Sequence, residues 1–285
     1  MSILTENFIQ SVRAMPSPAD QMAMLHGRAK GRRCFLLACG PSLAEYSSMD
    51  LGRMLRGELV IAIKQAFDYV PEACDFLLLN TWNYQSYNFA RRRPLIIREA
   101  ADADPPVFGE TDVLLHVPAP NDLSAQLTRS KRFDDYTFDR TLTRPWGPGV
   151  LYEIGFFLAL HLGVKEIVTL GWDVGVRNSA IMPHFYDKPD PRKTRILAEA
   201  ARMPSVAQRN RFLHENGVLY NKPRIIPEEV DACADVSGDW YRWLNGKGVP
   251  LSIVSHQSAA APEIPRVRLE QLGLGAAPAL QLAGS

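Results

Sequence analysis

The sequence predicts an α/β fold with a mostly parallel sheet, helices on both faces and a lid insertion. Short continuous apolar runs, such as residues 34–39, are typical of strands that are buried on both faces. Helical patterns alternate with these runs, which favours a parallel sheet. The chain of 285 residues is 46% apolar and 22% charged, the composition of a globular protein rather than of a disordered or fibrous one.

The predicted elements begin with a helical N-terminal extension over residues 1–30, interrupted around Pro16 and Pro18. Short apolar runs then predict strands, and longer periodic segments predict helices. The strands are predicted over 34–39, 59–63, 76–79, 95–97, 113–116, 166–170 and 251–254. The later helices are predicted over 150–162, 194–202 and 240–244.

These elements form one domain over residues 31–258. Between about residues 174 and 227 the chain is rich in Arg, Pro, Asn and aromatic residues, and we interpret this segment as a lid that follows a strand. Ligands of open α/β sheets bind at the carboxyl ends of strands, so a lid there would cover a ligand site. Residues 259–285 are rich in Ala, Leu, Gly and Pro and are predicted to form a peripheral tail rather than core.

Composition also excludes several classes of function. The net charge is 32 − 31 = +1, so no overall positive field recruits nucleic acid. The 4 cysteines form no CxxC pair, which argues against a zinc ribbon or a disulfide scaffold. The most apolar window, residues 150–164, contains Glu153 and His161 and is shorter than the about 20 residues of a membrane span. The N-terminus lacks a signal-peptide pattern, so we expect a cytoplasmic protein.

Residues 34–45 read as a strand, a glycine turn and the start of a helix. Ser42 is predicted to be the N-cap of that helix, and Glu45 completes a capping box. The helix would present free N–H groups and the positive end of its dipole, which suits a phosphate, and Gly40 would allow a ligand close to the backbone. The pattern is neither GxGxxG nor a Walker loop, and a capped turn without any ligand is the alternative interpretation.

A second glycine turn, Trp146-Gly-Pro-Gly149, precedes the predicted helix over 150–162. Two such turns, each leading into a helix N-terminus, can hold the two ends of one nucleotide-like ligand. A simple helix entry without a ligand has the same pattern.

Two segments resemble a known group of proteins. Ala38-Cys-Gly-Pro-Ser-Leu43 resembles the GNGPSL motif of the bacterial family 42 sialyltransferases, which also occurs in motility accessory factor proteins and the hydroxymethylpterin diphosphokinase-like family. The longer segment 157–173, which contains LGVKEIVTLGWD, is similar to the LG-KEI-L-G-D block of the same families. The resemblance covers residues 34–255 in order.

The resemblance implies a Rossmann-like nucleotide-binding fold. It also implies an inverting glycosyltransferase that moves a sialic-acid-like sugar from a CMP-activated donor to a surface glycan or glycoconjugate, without a metal or other cofactor. The residues that it implies for donor binding are Cys39, Gly40, Pro41, Ser42, Gln65, Asn80, Gly149 and Asp173. The sequence departs from the family pattern at Cys39 and Lys64, where the family has Asn. No His lies near Ala232, where the family's catalytic His would fall.

Inverting sugar transfer requires a general base for the acceptor hydroxyl and a group that neutralises the leaving phosphate. We favour His184 as the base and the nearby Tyr186 as the phosphate partner, because both lie in the presumed lid. His214 is the second candidate for the base, and His256 is the third.

Two other functions fit the same residues. A pterin-directed diphosphokinase would use ATP and Mg²⁺ and would require carboxylates around the triphosphate. A non-catalytic nucleotide-binding member of the fold would explain the altered Asn positions and the missing His. Peripheral association with the inner membrane and a homo-oligomer also stay open. The basic run Arg91-Arg92-Arg93, which follows several aromatic residues, is interpreted as a surface or acceptor-side patch.

Overall fold

A computed structural model describes residues 4–80, 87–101, 110–117, 131–144, 149–174, 184–185, 191–200, 202–204, 206–216 and 227–274. Its strands are β1 (Arg33–Leu37), β2 (Leu59–Ile63), β3 (Phe76–Asn80), β4 (Leu95–Ala101), β5 (Val113–Val117), β6 (Glu166–Leu170) and β7 (Leu251–Val254). They form one 7-stranded sheet, in the order β5-β4-β3-β2-β1-β6-β7, and every pair is parallel. The predicted α/β class is therefore confirmed, and the predicted ranges of β2, β6 and β7 match the observed ones.

The α-helices among the described residues are α1 (Glu6–Arg13), α2 (Pro18–Leu25), α3 (Ser48–Met54), α4 (Ala66–Tyr69), α5 (Phe156–His161), α6 (Pro191–Ala200), α7 (Val206–Glu215) and α8 (Pro227–Gly246). The predicted helix over 150–162 is divided, because its first part, Leu151–Gly155, is a π-helical turn that leads into α5. Helix α8 extends well beyond the predicted 240–244. Helix α7 was not predicted, because its few apolar residues form two adjacent pairs, at 206–207 and 212–213, with no spacing of three or four between them.

The sheet is buried on both faces, as continuous apolar runs require. All residues of β2 are buried, and successive residues of β1 alternate between two cores. Cys34 and Leu36 pack with α1, α2, α5 and α8, whereas Phe35 and Leu37 pack with α3 and α4. The molecule therefore has a three-layer α/β/α arrangement around the sheet.

Segments near both ends of the sequence contribute side chains to these cores. Ile9 and Val12 of α1 are buried in the first core, and Leu269 is buried in the second. The Val267 N–H donates to the Ile253 carbonyl of β7 at 2.9 Å. The expectation of a peripheral tail is therefore wrong for residues 259–274, because apolar side chains of this segment pack beside β7.

The arginine run lies at the amino-terminal edge of the sheet. Arg92 pairs at 2.7 Å with Asp75, which immediately precedes β3, and Arg93 pairs at 2.9 Å with Asp112, which immediately precedes β5. Both carboxylates are buried. The interpretation as a surface or acceptor-side patch therefore does not hold for Arg92 and Arg93, which neutralise buried acids and hold the starts of neighbouring strands together. Arg91 is exposed at the surface.

Candidate functional site

The strand order reverses between β1 and β6, so the topological switch point of the sheet lies at the carboxyl ends of these two strands. In open parallel sheets this crevice is where ligands bind. Residues 38–42 follow β1, and residues 171–173 follow β6. The two motifs, which lie far apart in the sequence, therefore meet at one place.

The contact between the two motifs is a set of short hydrogen bonds. The Ser42 N–H donates to Asp173 Oδ2 at 2.8 Å, and the Ser42 hydroxyl donates to Asp173 Oδ1 at 2.6 Å. The Gly40 N–H donates to the Gly171 carbonyl at 2.7 Å. The Asp173 carboxylate thus binds the N–H group that was expected to receive a phosphate, and that part of the prediction is wrong.

The helix cap predicted at Ser42 is also wrong. Residues Pro41–Glu45 form a 3-10 helix with Gly40 at its N-cap position, and no side chain caps it. The Ser42 hydroxyl is directed to Asp173 because a buried carboxylate is a stronger acceptor than a neutral group. The first α-helix on this side is α3, whose N-cap Ser47 accepts from the Asp50 N–H at 3.1 Å.

Two glycines allow this close approach. A side chain at Gly40 would overlap Asp173 Oδ2 and the Gly171 carbonyl oxygen. Gly171 has φ of +66°, and a side chain there would overlap the Ala38 carbonyl. The glycines of both motifs are therefore required where the two turns contact each other, which explains them without a ligand.

Cys39 and Gln65 are brought together at the ends of β1 and β2. The Cys39 thiol donates to the Ile63 carbonyl at 3.2 Å and lies 3.8 Å from Gln65 Oε1. Burial raises the pKa of the Cys39 thiol to about 11, so at neutral pH it is a hydrogen-bond donor rather than a nucleophile. Asn80 ends β3 at the same edge, and its carbonyl accepts from Arg98 Nη1 at 2.9 Å.

Part of the presumed lid is attached to this edge. The Phe185 N–H donates to the Cys39 carbonyl at 3.0 Å, and the Phe185 ring packs edge-on against Tyr69 at 5.1 Å. His184, the favoured base, directly precedes Phe185 in the sequence, and its main chain therefore lies close to the switch point. Its expected partner, Tyr186, lies outside the described residues.

The other two candidate bases lie on different elements. His214 belongs to α7, which packs with α6 in a small core of its own formed by Ile196, Ala200 and Leu213. His256 follows β7 and is exposed at the rim of a pocket at the carboxyl edge of the sheet.

Gly149 lies two residues before the π-helical turn that leads into α5, with φ of +136°. A side chain there would meet no described atom within 4 Å. Residues 145–148, which include the rest of the second glycine turn, lie outside the described residues. The structure therefore leaves the pairing of the two glycine turns as a prediction.

Arg144, just before this turn, is completely buried. Burial lowers its pKa to about 9, so the guanidinium is still charged at neutral pH. It donates to the Tyr136 carbonyl and stacks over the Phe138 ring at 4.1 Å. Arg144 therefore holds the chain in front of the turn.

Two strained residues lie at the same edge and were not among the predicted site residues. Lys64, after β2, has φ of +50°, and Val174, after Asp173, has φ of +60°. Side chains, and branched ones above all, rarely adopt this conformation, and such strain concentrates at functional sites.

Within the described part of the chain, no group of three or more His, Cys, Asp or Glu side chains could hold a metal ion. No helix in that part is long and apolar enough to cross a membrane.

The fold and this edge define a Rossmann-like α/β protein whose candidate site lies at the switch point between β1 and β6. No protein-family model matches the chain, and no curated protein matches it. Among solved structures, the chain is similar to the MAf glycosyltransferase from Magnetospirillum magneticum AMB-1, with 16% identity and a TM-score of 0.34. That match covers 66% of this chain and 30% of the other. The chemistry of the site therefore has to follow from its own residues.

Proposed function

We propose that this protein is a glycosyltransferase that moves a sialic-acid-like sugar from a CMP-activated donor to a glycan or glycoconjugate. The observation that carries the proposal is the hydrogen bond between the Phe185 N–H and the Cys39 carbonyl, at 3.0 Å. It joins the segment that contains His184 to the crevice where open parallel sheets bind nucleotides. The proposed base would then lie next to the proposed donor site.

The donor would be held by polar groups at the ends of successive strands. Gln65 and Asn80 offer amide groups to the nucleotide. The carboxylate of Asp173 occupies the Ser42 N–H, so we assign Asp173 and Ser42 to positioning the turn after β1 rather than to binding the phosphate. The leaving phosphate would be neutralised by Tyr186 and by the ammonium group of Lys64.

The reaction needs one proton transfer. His184, as general base, accepts the proton of the acceptor hydroxyl while that oxygen forms a bond to the anomeric carbon of the sugar. The bond between this carbon and the phosphate oxygen breaks, and CMP leaves with the electron pair. Neutral imidazole suits this task, because its ordinary pKa of about 6.5 is close to the working pH. Attack opposite to the leaving phosphate inverts the anomeric configuration.

A thermal-shift panel with CMP, CDP, UDP, GDP and ATP, each with and without Mg²⁺, tests the donor. A ligand at 100 times its Kd stabilises the native state by about 2.7 kcal/mol, which raises the midpoint measurably. We expect stabilisation by CMP without metal. Stabilisation by ATP with Mg²⁺ alone would replace the proposal by the diphosphokinase. No stabilisation by any nucleotide would contradict the proposed donor.

The base is tested in a transfer assay with a CMP-sugar. His184→Ala should lower kcat by about 10²–10⁴ while the midpoint shift with CMP is retained. The control is His26→Ala, an exposed histidine that precedes β1 at the opposite edge of the sheet. An unchanged kcat in His184→Ala would reject this assignment.

A further inference from the structure

The carboxyl edge contains a pocket that the proposed mechanism does not use. It has a volume of about 260 Å³ and lies at the end of β7. Val254 and the buried Ser255 line its inner part. Charged and aromatic side chains from three separate segments form its rim, among them Glu45, Tyr46, His256 and Arg268.

The chemistry of the rim favours an uncharged, hydroxyl-rich ligand. Glu45 and Glu270 supply carboxylate acceptors for hydroxyl groups, and the Arg268 guanidinium supplies donors in a planar fork. Val267, which is partly exposed, offers an apolar surface to the C–H face of a ring. Two carboxylates against one guanidinium disfavour a phosphate or another anion.

Tyr46 adds a neutral phenol to this set. Burial and the nearby carboxylates of Glu270 and Glu45 raise its pKa above the ordinary value, so the phenol keeps its proton at neutral pH. A protonated phenol both donates and accepts hydrogen bonds, as the hydroxyl groups of a sugar do.

The size of the pocket limits what can enter it. Pockets for drug-sized ligands span about 300–1,000 Å³. At about 260 Å³ the pocket accommodates a single ring rather than a nucleotide.

The pocket lies on the same side of the sheet as the proposed base. The Tyr69 hydroxyl donates to the Tyr46 carbonyl at 2.6 Å, and the Tyr69 ring packs against Phe185. Phe185 in turn follows His184 and is hydrogen-bonded to Cys39. Strand β7, whose end lines the pocket, is the direct neighbour of β6, which leads to Asp173.

We infer that this pocket is the acceptor subsite and binds one uncharged saccharide ring of the acceptor glycan. Its role in transfer rests on the proposed function, whereas saccharide binding by the pocket does not. The carboxylates and Arg268 would hold the hydroxyl groups of the ring, and the acceptor oxygen would be presented beside the switch point.

The experiment is saturation-transfer NMR on the full chain with free galactose, glucose, N-acetylglucosamine and N-acetylgalactosamine, without any donor. We expect at least one of them to bind, and both Arg268→Gln and Glu270→Gln to weaken that binding about tenfold, the effect of losing a hydrogen bond to a charged group. The midpoint shift with CMP should stay as in the wild type. Arg56→Gln, an exposed arginine that precedes β2 at the opposite edge, is the matched control.

The main-chain N–H of Arg268 donates to Gln271 Oε1 at 3.0 Å, so this hydrogen bond is retained in Arg268→Gln. Absence of binding by all four sugars, or equal binding by wild type and Arg268→Gln, would overturn the inference. The two proposals fail separately. If the wild type binds a sugar, the variants lose that binding and no protein binds CMP, the pocket is supported and the proposed donor is contradicted. Transfer with an unchanged acceptor KM in Arg268→Gln contradicts the pocket alone.

Discussion

The pairing of Ser42 with Asp173 accounts for the sequence of both motifs at the switch point. Its two hydrogen bonds, of 2.8 and 2.6 Å, leave no room for a side chain at Gly40. The glycine, serine and aspartate of the two motifs therefore join the ends of β1 and β6 to each other. A ligand at this crevice would bind around the pair rather than between its members.

This pairing predicts energetic coupling. Asp173→Ala should lower the free energy of unfolding by about 1.5–3 kcal/mol, because it leaves the buried Ser42 N–H without its charged acceptor. In a double-mutant cycle with Ser42→Ala, measured by urea unfolding, the two effects should fall short of additivity by about 0.5–3 kcal/mol. Strictly additive effects would show that the two side chains act independently.

The two glycine substitutions Gly40→Ala and Gly246→Ala should change the free energy of unfolding in opposite directions. Overpacking at Gly40 should cost about 1–3 kcal/mol, because the new methyl group would overlap Asp173 and Gly171. At Gly246, at the end of α8, a new methyl group would meet no described atom within 4 Å, and alanine there should stabilise by up to about 1 kcal/mol. Thermal midpoints of the two variants test this, and equal shifts would contradict it.

Among the elements, the strands of the sheet are held by different contacts at their amino-terminal ends and at their carboxyl ends. At the amino-terminal edge buried carboxylates pair with arginines, as Asp75 does with Arg92. At the carboxyl edge main-chain turns contact each other directly, as Gly40 and Gly171 do. The amino-terminal ends are thereby fixed by charge, and the carboxyl ends by main-chain contacts.

Neighbouring arginines of the run should therefore contribute differently to the free energy of unfolding. Arg92→Gln leaves the buried Asp75 carboxylate without its counter-ion and should cost about 3 kcal/mol. Arg91 pairs with Glu72, and both side chains are at least half exposed, so Arg91→Gln should cost less than about 1 kcal/mol. Urea unfolding of both variants measures the difference. A similar cost for both would mean that Asp75 is satisfied without Arg92.

The sequence predicted the elements best where their signal is local. Strands β2, β6 and β7 lie within the predicted ranges because an apolar run between turns is a property of neighbouring residues. Helix α7 was missed because its apolar residues, at 206–207 and 212–213, are not spaced three or four apart. The π-helical turn Leu151–Gly155 could not be told from an α-helix, since its apolar residues fit both.

For the whole molecule, stability should depend on pH through His161. Its Nε2 atom is 2.7 Å from the Met22 carbonyl, which joins α5 to α2, and burial lowers its pKa below the ordinary value. The unfolded chain therefore binds more protons than the native chain just below about pH 6.5. The contribution of this group is complete above that pH and is lost as the pH falls toward the native pKa.

Thermal midpoints measured between about pH 5 and 7.5 test this dependence. His161→Gln should flatten the decline of the midpoint toward low pH. His256→Gln, at an exposed histidine, should leave the decline as it is in the wild type. Equal slopes for wild type and His161→Gln would contradict the assignment.

The sequence by itself determined the fold class and the order of its elements, because burial of apolar runs and the chemistry of turns act between residues close in the chain. It also singled out both motifs of the candidate site. Only the tertiary structure decided what these residues do. Asp173 lies 131 residues from Ser42 in the chain, and the parallel sheet brings its carboxylate to the N–H and hydroxyl groups that local reasoning gave to a helix cap and a phosphate. A buried carboxylate is a stronger hydrogen-bond acceptor than the neutral groups near Ser42 in the chain. The sequence pattern of one segment does not predict that a carboxylate from another segment will contact it.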